Sequence, residues 1–169
     1  MAATRSRKRE TTIAAVQSAE RRAGELPDSL QFMRLLWALM HLLQRQSKRM
    51  GQQLGVTGPQ RLVIRVVGLF PGISAGTLAA ILHVHPSTLT GVLQRLVRQG
   101  LIERSAHAGD RRRAVLRLTA KGARVNTSRS GTVEAMVVDG LSGVSARDRA
   151  VAQRVLSRLA DCLGGAEDR

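Results

Sequence analysis

The sequence is poor in aromatic residues. Only 2% of its 169 residues are aromatic, with one Trp, two Phe and no Tyr, whereas 43% are hydrophobic. Strands of β-sandwiches are rich in aromatic and β-branched residues. The composition therefore favours packed helices whose core consists of Leu, Val, Ile, Ala and Met.

Acidic residues are also scarce. Twelve Asp and Glu oppose 27 Lys and Arg, which gives a formal net charge of +15. So basic a chain implies a polyanionic partner. No carboxylate pair stands in an apolar setting, and neither a nucleophile elbow nor a glycine-rich phosphate loop is present. We therefore expect no catalytic residues and no enzyme activity.

Cysteine occurs once, at Cys162, which excludes an intrachain disulfide and fits a reducing cytoplasm. Paired Cys or Cys/His spacings typical of zinc sites are absent. The sequence of the first ten residues lacks the apolar core of a signal peptide, and no apolar run has the length of a membrane span. We expect a cytoplasmic protein without a membrane partner.

Residues 73–119 organise the chain. The pattern predicts a short helix over residues 74–83, a break at residues 84–86, and a second helix over residues 86–99 that ends before Gly100. Pro86 suits a first helical turn. One face of the second helix is apolar with helical spacing, at Leu89, Val92, Leu93, Leu96 and Val97. These two helices are predicted to form a helix-turn-helix.

The opposite face of the second helix is polar and contains no carboxylate. It carries Ser87, Thr88, Thr90, Gly91, Gln94, Arg95 and Arg98. A groove-reading helix needs small residues, hydrogen-bonding groups and cations. The candidates for base edges are Ser87, Thr88, Thr90 and Gln94, and those for phosphates are Arg95 and Arg98. The alternative is an ordinary solvated face.

A basic hairpin is predicted next. Residues 101–106 indicate a strand, residues 107–113 a turn with Arg111, Arg112 and Arg113, and residues 114–119 a second strand. Helix, turn, helix and hairpin make a winged helix-turn-helix. The arginine tip suits the backbone or minor groove of double-stranded DNA. Residues 95–124 hold nine cations against Glu103 and Asp110.

The flanking segments predict further helices. One runs from Leu30 to Met50 and is apolar on more than one face; a connection over residues 51–55 follows it. The next starts at Thr57, with a buried face at Leu62, Val63, Val66, Val67 and Phe70. Beyond the hairpin we predict one long helix from Gly122 to Leu141, loosened at Gly131, and a last helix from Ser145 to Gly164.

This pattern predicts a mainly α fold with a small β-hairpin wing. Residues 56–121 would form the winged helix-turn-helix, and residues 26–55 and 122–169 a helical dimerisation region drawn from both termini. Residues 1–25 would be a basic arm. It is interpreted as a disordered tail with non-specific phosphate contacts, or alternatively as an arm that packs on the dimer or enters a groove.

Three motifs together resemble the MarR family of transcriptional regulators over residues 29–163. Asp110-Arg111-Arg112, Leu118-Thr119 and Lys121-Gly122 are similar to the family's wing signature. Residues 93–104 are similar to its junction between recognition helix and wing. Residues 56–60 are similar to its helix-opening Leu-Thr-Xaa-Xaa-Gln, with Val56 in place of Leu.

The resemblance implies a homodimeric, sequence-specific repressor of transcription that binds an inverted-repeat operator. It implies that Asp110 bonds one of the wing arginines. It also implies no cofactor beyond a small aromatic or amphipathic acid bound between the dimerisation helices and the winged domain. Candidate lining residues are Trp37, Met40, His41, Arg61 and Arg65. The alternative for Trp37 and His41 is a place in the core or an interface.

The resemblance raises two further possibilities. Some relatives bind zinc, and His83 and His85 would be candidates, but they are two residues apart across a turn and we predict no metal site. Other relatives sense peroxide through a cysteine near the first helix that tyrosines activate. Cys162 lies near the other end of a chain that has no tyrosine, so we interpret it as a packed or semi-exposed thiol, with redox sensing as the alternative.

Two rival functions remain. A non-specific architectural nucleic-acid-binding protein would also be strongly basic, but backbone binding does not require small polar residues on a groove-facing helix. A winged helix that binds only proteins would not need the arginines of the hairpin.

Overall fold

The computed structural model describes residues 19–107 and 110–165; for residues 107 and 110–113 it describes the backbone alone. The boundary between two compact units falls between Gln44 and Arg45. Residues 19–24 are helical. The elements that follow are α1 (Asp28–Leu54), α2 (Gly58–Leu69), β1 (Ile73–Ser74), α3 (Ala75–Leu82), α4 (Pro86–Arg98), β2 (Ile102–His107), β3 (Asp110–Leu118), α5 (Ala120–Thr127), α6 (Val133–Leu141) and α7 (Ala146–Gly164).

The mainly helical fold with a small hairpin is confirmed, but α1 is longer than predicted. It continues to Leu54, so the connection predicted over residues 51–55 is wrong in extent. Met50 is fully buried, and its packing favours continued helix beyond that point. The chain leaves the helix only at Gly55, whose φ of 71° suits glycine. In the described part of the chain, no helix is long and apolar enough to cross a membrane.

Helix α2 contributes Val63, Ile64, Val66 and Val67 to the core. Thr57 precedes it, and the Thr57 backbone N–H donates to Gln60 Oε1 at 2.8 Å. Of the predicted buried face, Leu62 and Phe70 are instead 52% and 53% exposed, because the buried stripe is shifted towards Arg61 and Ile64. The buried apolar residues of the core are Val56, Val63, Ile64, Val66, Val67, Ile73, Leu78, Ala79, Leu89, Leu93, Leu96, Leu101, Ile102 and Leu116.

The sheet has three strands in the order β1-β3-β2, all antiparallel neighbours. The sequence prediction missed β1, which pairs Ile73 with Leu116 and Ser74 with Val115. Two residues are too few to show a strand periodicity, and the partner strand lies about 40 positions further on. Gly72, with φ of 90°, turns the chain into β1 and donates its N–H to Leu116 O at 2.8 Å.

The hairpin is longer than predicted. Strand β3 begins at Asp110, and Asp110 is the register partner of His107, so the turn predicted over residues 107–113 is wrong in extent. Arg111, Arg112 and Arg113 are part of the strand. The strands continue to pair there because the pairing satisfies backbone amide and carbonyl groups. A pattern of polar side chains does not reveal this pairing. Residues 108–109 and the side chains of residues 110–113 lie outside the described structure.

The segment after the hairpin forms two helices where one was predicted from Gly122 to Leu141. Helix α5 ends at Thr127, and α6 begins at Val133. Gly131 adopts a φ of 70°, which is incompatible with a continuous helix. Thr132 is fully buried and caps α6 by accepting the N–H of Ala135 at 3.2 Å.

The start of α5 packs closely on the segment that leaves α4. A Cβ added to Gly122 would lie 1.9 Å from the carbonyl oxygen of Leu101. The backbone N–H of Thr119 donates to the same Leu101 oxygen at 3.2 Å. Glycine is required at position 122 because the two backbones approach each other too closely for any side chain.

We therefore predict that Gly122→Ala lowers the free energy of unfolding by about 3 kcal/mol, because backbone must move to admit the methyl group. Chemical denaturation at one fixed protein concentration measures this. The control is Gly91→Ala, at a helical position with no heavy atom within 4 Å of the added Cβ. That control should be neutral or stabilising by up to about 1 kcal/mol. Equal stability of the two variants would contradict the close approach.

Candidate nucleic-acid interface

Helices α3 and α4 form the predicted helix-turn-helix. Helix α3 ends at His83, which adopts a left-handed φ of 50°, and Val84 N donates to Ala79 O at 3.2 Å. The next helix begins with Pro86 at its first position, as predicted, and His85 is its N-cap. The turn between the helices is therefore short and is held by hydrogen bonds at both ends.

Helix α4 buries one face and exposes the other. Leu89, Leu93 and Leu96 are at most 2% exposed, whereas the predicted core residue Val97 is 38% exposed. The seven polar-face residues are all exposed: Ser87, Thr88, Thr90, Gly91, Gln94, Arg95 and Arg98. Burying each leucine contributes about 1.5–3 kcal/mol, which fixes the rotation of the helix. The carboxylate-free face is thus available to a partner.

Two hydroxyl groups on this face bond within the helix-turn-helix. Ser87 Oγ lies 2.7 Å from His85 Nδ1, and the Ser87 backbone N–H donates to the same nitrogen at 3.3 Å. Thr90 Oγ1 donates to Pro86 O at 2.8 Å. Sequence reasoning missed the capping role of His85. The sequence signal for this role is the position of His85 immediately before Pro86, which begins the helix.

The far end of α4 is held by the segment that follows the hairpin. Thr119 Oγ1 donates to Gly100 O at 2.6 Å, and Lys121 Nζ donates to Gln99 O at 2.9 Å. Carbonyl groups at a helix C-terminus lack partners within the helix. Thr119 and Lys121 of the wing signature thus anchor the end of α4, a structural role that the sequence pattern alone did not reveal.

Exposed cations occur on α4 and on the segments that follow it. Those with described side chains are Arg95, Arg98, Arg104, Arg117, Lys121 and Arg124. Within that described set, no carboxylate forms a salt bridge with them. Glu103 is the register partner of Arg117 across β2 and β3. The predicted wing contacts Arg111, Arg112, Arg113 and Asp110 have side chains outside the described structure.

The predicted ligand residues on α1 are exposed. Trp37 is 63% exposed, Met40 is 47% exposed, and His41 is exposed. They lie in the unit that ends at Gln44. Trp37 and His41 are four residues apart, so they occupy the same side of the helix.

Arg61 and Arg65, the other predicted ligand residues, both donate hydrogen bonds within the protein. The Arg61 side chain is 2% exposed. Its Nε donates to Glu134 Oε1 at 2.8 Å, its Nη2 donates to Ser128 O at 2.6 Å, and its Nη1 donates to Val125 O. Arg65 is 41% exposed and donates to Asn126 Oδ1 at 3.0 Å.

Arg61 therefore joins α2 to the break between α5 and α6. Val125, Asn126 and Ser128 stand at the C-terminal end of α5, where carbonyl groups are unpaired and a cation is favoured. Glu134 stands in the first turn of α6, where a carboxylate is favoured. A buried guanidinium with several acceptors is stable because its donors are satisfied.

The residues considered for metal and thiol chemistry are His83, His85 and Cys162. Across the described residues, no cluster of three His, Cys, Asp or Glu side chains is suited to a metal ion. His83 Nδ1 lies 3.7 Å from Asp161 Oδ1, and both side chains are more than half exposed. Cys162 is exposed and free.

Comparison with known proteins identifies a family. The MarR family model matches residues 54–113. An HTH-type transcriptional repressor of Mycobacterium tuberculosis is 30% identical over 139 residues, which are 82% of this chain and 97% of that protein. A crystal structure of a MepR-like protein complexed with pseudoligands is 27% identical, with a TM-score of 0.66, over 80% of this chain and 95% of that chain.

A further solved structure contains DNA. The crystal structure of Streptococcus pneumoniae FabT in complex with DNA is 25% identical, with a TM-score of 0.60. The match covers 82% of this chain and 99% of that chain. These similarities extend well beyond the helix-turn-helix.

We predict that Arg61→Met lowers the free energy of unfolding by about 3–5 kcal/mol, since it leaves buried carbonyl groups without their donor and removes the closer of the two cations that contact Glu134. Methionine retains the apolar stem, so no large cavity confounds the result. The matched control is Arg65→Met on the same helix, because Arg65 Nε lies 3.6 Å from Glu134 Oε1 and both side chains are partly exposed, and this ion pair should contribute less than about 1 kcal/mol. Urea denaturation at a fixed protomer concentration distinguishes them, and equal losses would refute the special role of Arg61.

Proposed function

This chain belongs to the MarR family, and we propose that it is a homodimeric, sequence-specific DNA-binding repressor of transcription that acts on an inverted-repeat operator. The observation that carries the proposal is the exposed face of α4, which holds small polar residues and guanidinium groups and no carboxylate. The proposal is supported by relatives named as a transcriptional repressor and as a DNA complex.

The proposed complex places the α4 helices of two protomers in successive major grooves, about 34 Å apart. Ser87, Thr88, Thr90 and Gln94 would contact base edges, while Arg95 and Arg98 would hold phosphates. Residues 56–121 would be the DNA-binding domain. Arg111, Arg112 and Arg113 would contact the backbone or minor groove, with Asp110 bonded to one of them, and residues 1–25 would act as a basic arm.

The dimer is proposed from the apolar surface of the helices outside the winged domain. Residues on α1, α6 and α7 that are between 37% and 71% exposed include Leu30, Phe32, Met33, Leu35, Trp37, Leu39, Met40, Leu42, Leu43, Met136, Val137, Val138, Leu141, Val151, Val155, Leu156 and Leu163. Monomeric soluble proteins rarely expose so much apolar surface. A second copy of the chain would cover them, with residues 26–55 and 122–169 as the dimerisation region.

A small-molecule effector is the least constrained part of the proposal. We propose a small aromatic or amphipathic acid as the effector, with Trp37, Met40, His41, Arg61 and Arg65 as the candidate ligand residues. The donors of Arg61 are used within the protein, so Arg65 is the better candidate of the two arginines. The support is a relative solved with pseudoligands. An effector of this kind acts by preferring one of two conformations.

We predict that DNA binding weakens steeply with salt, with a log–log slope of about −0.9 for each phosphate contacted. Arg98→Ala should reduce the steepness of that slope by about one unit and weaken binding to all sequences similarly. Fluorescence anisotropy across a salt series measures both. Arg34→Ala, which removes the same charge from α1, is the control and should leave the slope unchanged. A slope near zero for the unaltered protein would contradict the proposal.

Competition with bulk genomic DNA separates this function from its rival. A sequence-specific regulator should bind a fragment enriched from random DNA about 10³-fold or more tightly than bulk DNA. Equal affinity for all sequences would favour a non-specific architectural protein.

We further predict that the protein sediments as a dimer and that Leu156→Glu promotes dissociation, because a carboxylate would be buried without a partner. Gln153→Glu on the same helix is the matched control, since it introduces the same charge at a polar, exposed position. Analytical ultracentrifugation over a concentration series measures both. A monomeric mass for the unaltered protein at every concentration would exclude the dimer.

A further inference from the structure

We infer that the hydroxyl groups of Ser87 and Thr90 recognise base amino groups in the major groove, namely adenine N6 or cytosine N4. The inference rests on the proposed function, and it specifies which edges of the operator these two residues accept. It follows from the hydrogen bonds that the two hydroxyl groups donate within the folded protein.

The Ser87 proton is directed at His85. The backbone N–H of Ser87 donates to His85 Nδ1 at 3.3 Å. A ring nitrogen that accepts an N–H carries a lone pair and no proton of its own. In the tautomer in which Nδ1 accepts the Ser87 N–H, the Ser87 hydroxyl, 2.7 Å from that nitrogen, is the donor in their contact. Its remaining lone pairs are what it offers to a partner.

The Thr90 proton is used in the same way. Thr90 Oγ1 lies 2.8 Å from the carbonyl oxygen of Pro86, and a carbonyl oxygen only accepts. Ser87 and Thr90 are three residues apart on α4, so they lie on the same side of the helix. This surface consequently presents two neighbouring hydrogen-bond acceptors, although neither residue is acidic.

An acceptor selects among the bases. In the major groove, adenine N6 and cytosine N4 are donors, whereas guanine N7 and O6 and thymine O4 are acceptors. Phosphate oxygens are acceptors as well, so these two hydroxyls are poorly suited to hold the backbone. Breaking an internal hydrogen bond to free a hydroxyl proton would reduce the net gain from a new contact.

His85 is accordingly a positioning residue. It caps α4 and orients the Ser87 hydroxyl without itself being assigned to a base. Thr88 provides the contrast, because within the described residues its hydroxyl has no hydrogen-bond partner. It is free to donate or to accept.

The first experiment is a selection of bound fragments from random DNA with the unaltered protein, Ser87→Ala and Thr90→Val. The positions that lose preference in each variant identify the base pairs that the two hydroxyl groups contact, with a loss of about three- to tenfold for one hydrogen bond. Ser142→Ala is the control, because it removes an exposed hydroxyl that donates to Asp139 O at 2.8 Å outside the helix-turn-helix, and it should leave all positions unchanged. An operator preference that is unchanged in both Ser87→Ala and Thr90→Val would overturn the inference.

The second experiment needs no protein variant. Replacing the selected adenine with 2-aminopurine moves the amino group from the major to the minor groove, and N4-methylcytosine obstructs the corresponding cytosine group. Binding by the unaltered protein should fall about three- to tenfold. Binding by Ser87→Ala should not change when the base that Ser87 contacts is modified. Unchanged binding of both modified fragments by the unaltered protein would overturn the inference.

The role of His85 is tested by selection as well. His85→Asn retains an oxygen acceptor at the helix start and should retain the preference. His85→Ala frees the Ser87 hydroxyl and should relax the preference at the Ser87 position alone, not at the Thr90 position. Uniform weakening at all positions would indicate a merely structural His85. A selection without any enriched sequence would overturn the proposed function itself, whereas an enriched operator whose binding is unaffected by the amino-group replacements would overturn only this inference.

Discussion

The buried guanidinium of Arg61 joins α2 to the end of α5 and the start of α6. Its donors reach the carbonyl groups at the end of α5 and the carboxylate at the start of α6, while its own stem belongs to α2 in the core. The break between α5 and α6 leaves carbonyl groups that need a donor, and burial excludes water from supplying one. The route of the chain out of the winged domain therefore depends on this one cation.

A second constraint fixes α4 relative to the hairpin. The carbonyl groups of Gln99 and Gly100 at the end of α4 accept hydrogen bonds from Lys121 and Thr119, which follow the hairpin in sequence. Gly122 permits this approach because a side chain there would overlap Leu101. Helix α4 and the base of the hairpin are thereby joined, and in the proposed complex a phosphate contact by one would bear on the groove position of the other.

Features that depend on local periodicity can be predicted from the sequence. The apolar stripe of α4, the proline that opens it and the alternation of β2 and β3 are local, and the family motifs supported them. The sequence was insufficient where a distant partner decides the outcome. Strand β1 exists because β3 pairs with it, and Arg61 is buried because carbonyl groups more than 60 residues away need its donors. An arginine in a basic chain is otherwise expected to be exposed.

The same limit explains the misjudged segments beyond the hairpin and within it. Gly131 signalled a weak point in a helix, but only the buried cap at Thr132 and the cation at Arg61 convert that weak point into a complete break. The arginines after Asp110 were assigned to a turn because polar residues are common there, whereas backbone pairing extends the strand through them.

The face of α4 divides its chemistry along the helix axis. Hydroxyl groups that present lone pairs occupy the first turns, and guanidinium groups occupy the last turn, where a helix favours cations. A carboxylate would also accept hydrogen bonds from base amino groups, but its charge would be repelled by the surrounding phosphates. A hydroxyl whose proton is already donated provides the acceptor without the charge. In the proposed complex, base recognition and attraction to the DNA backbone would therefore be compatible on one short helix.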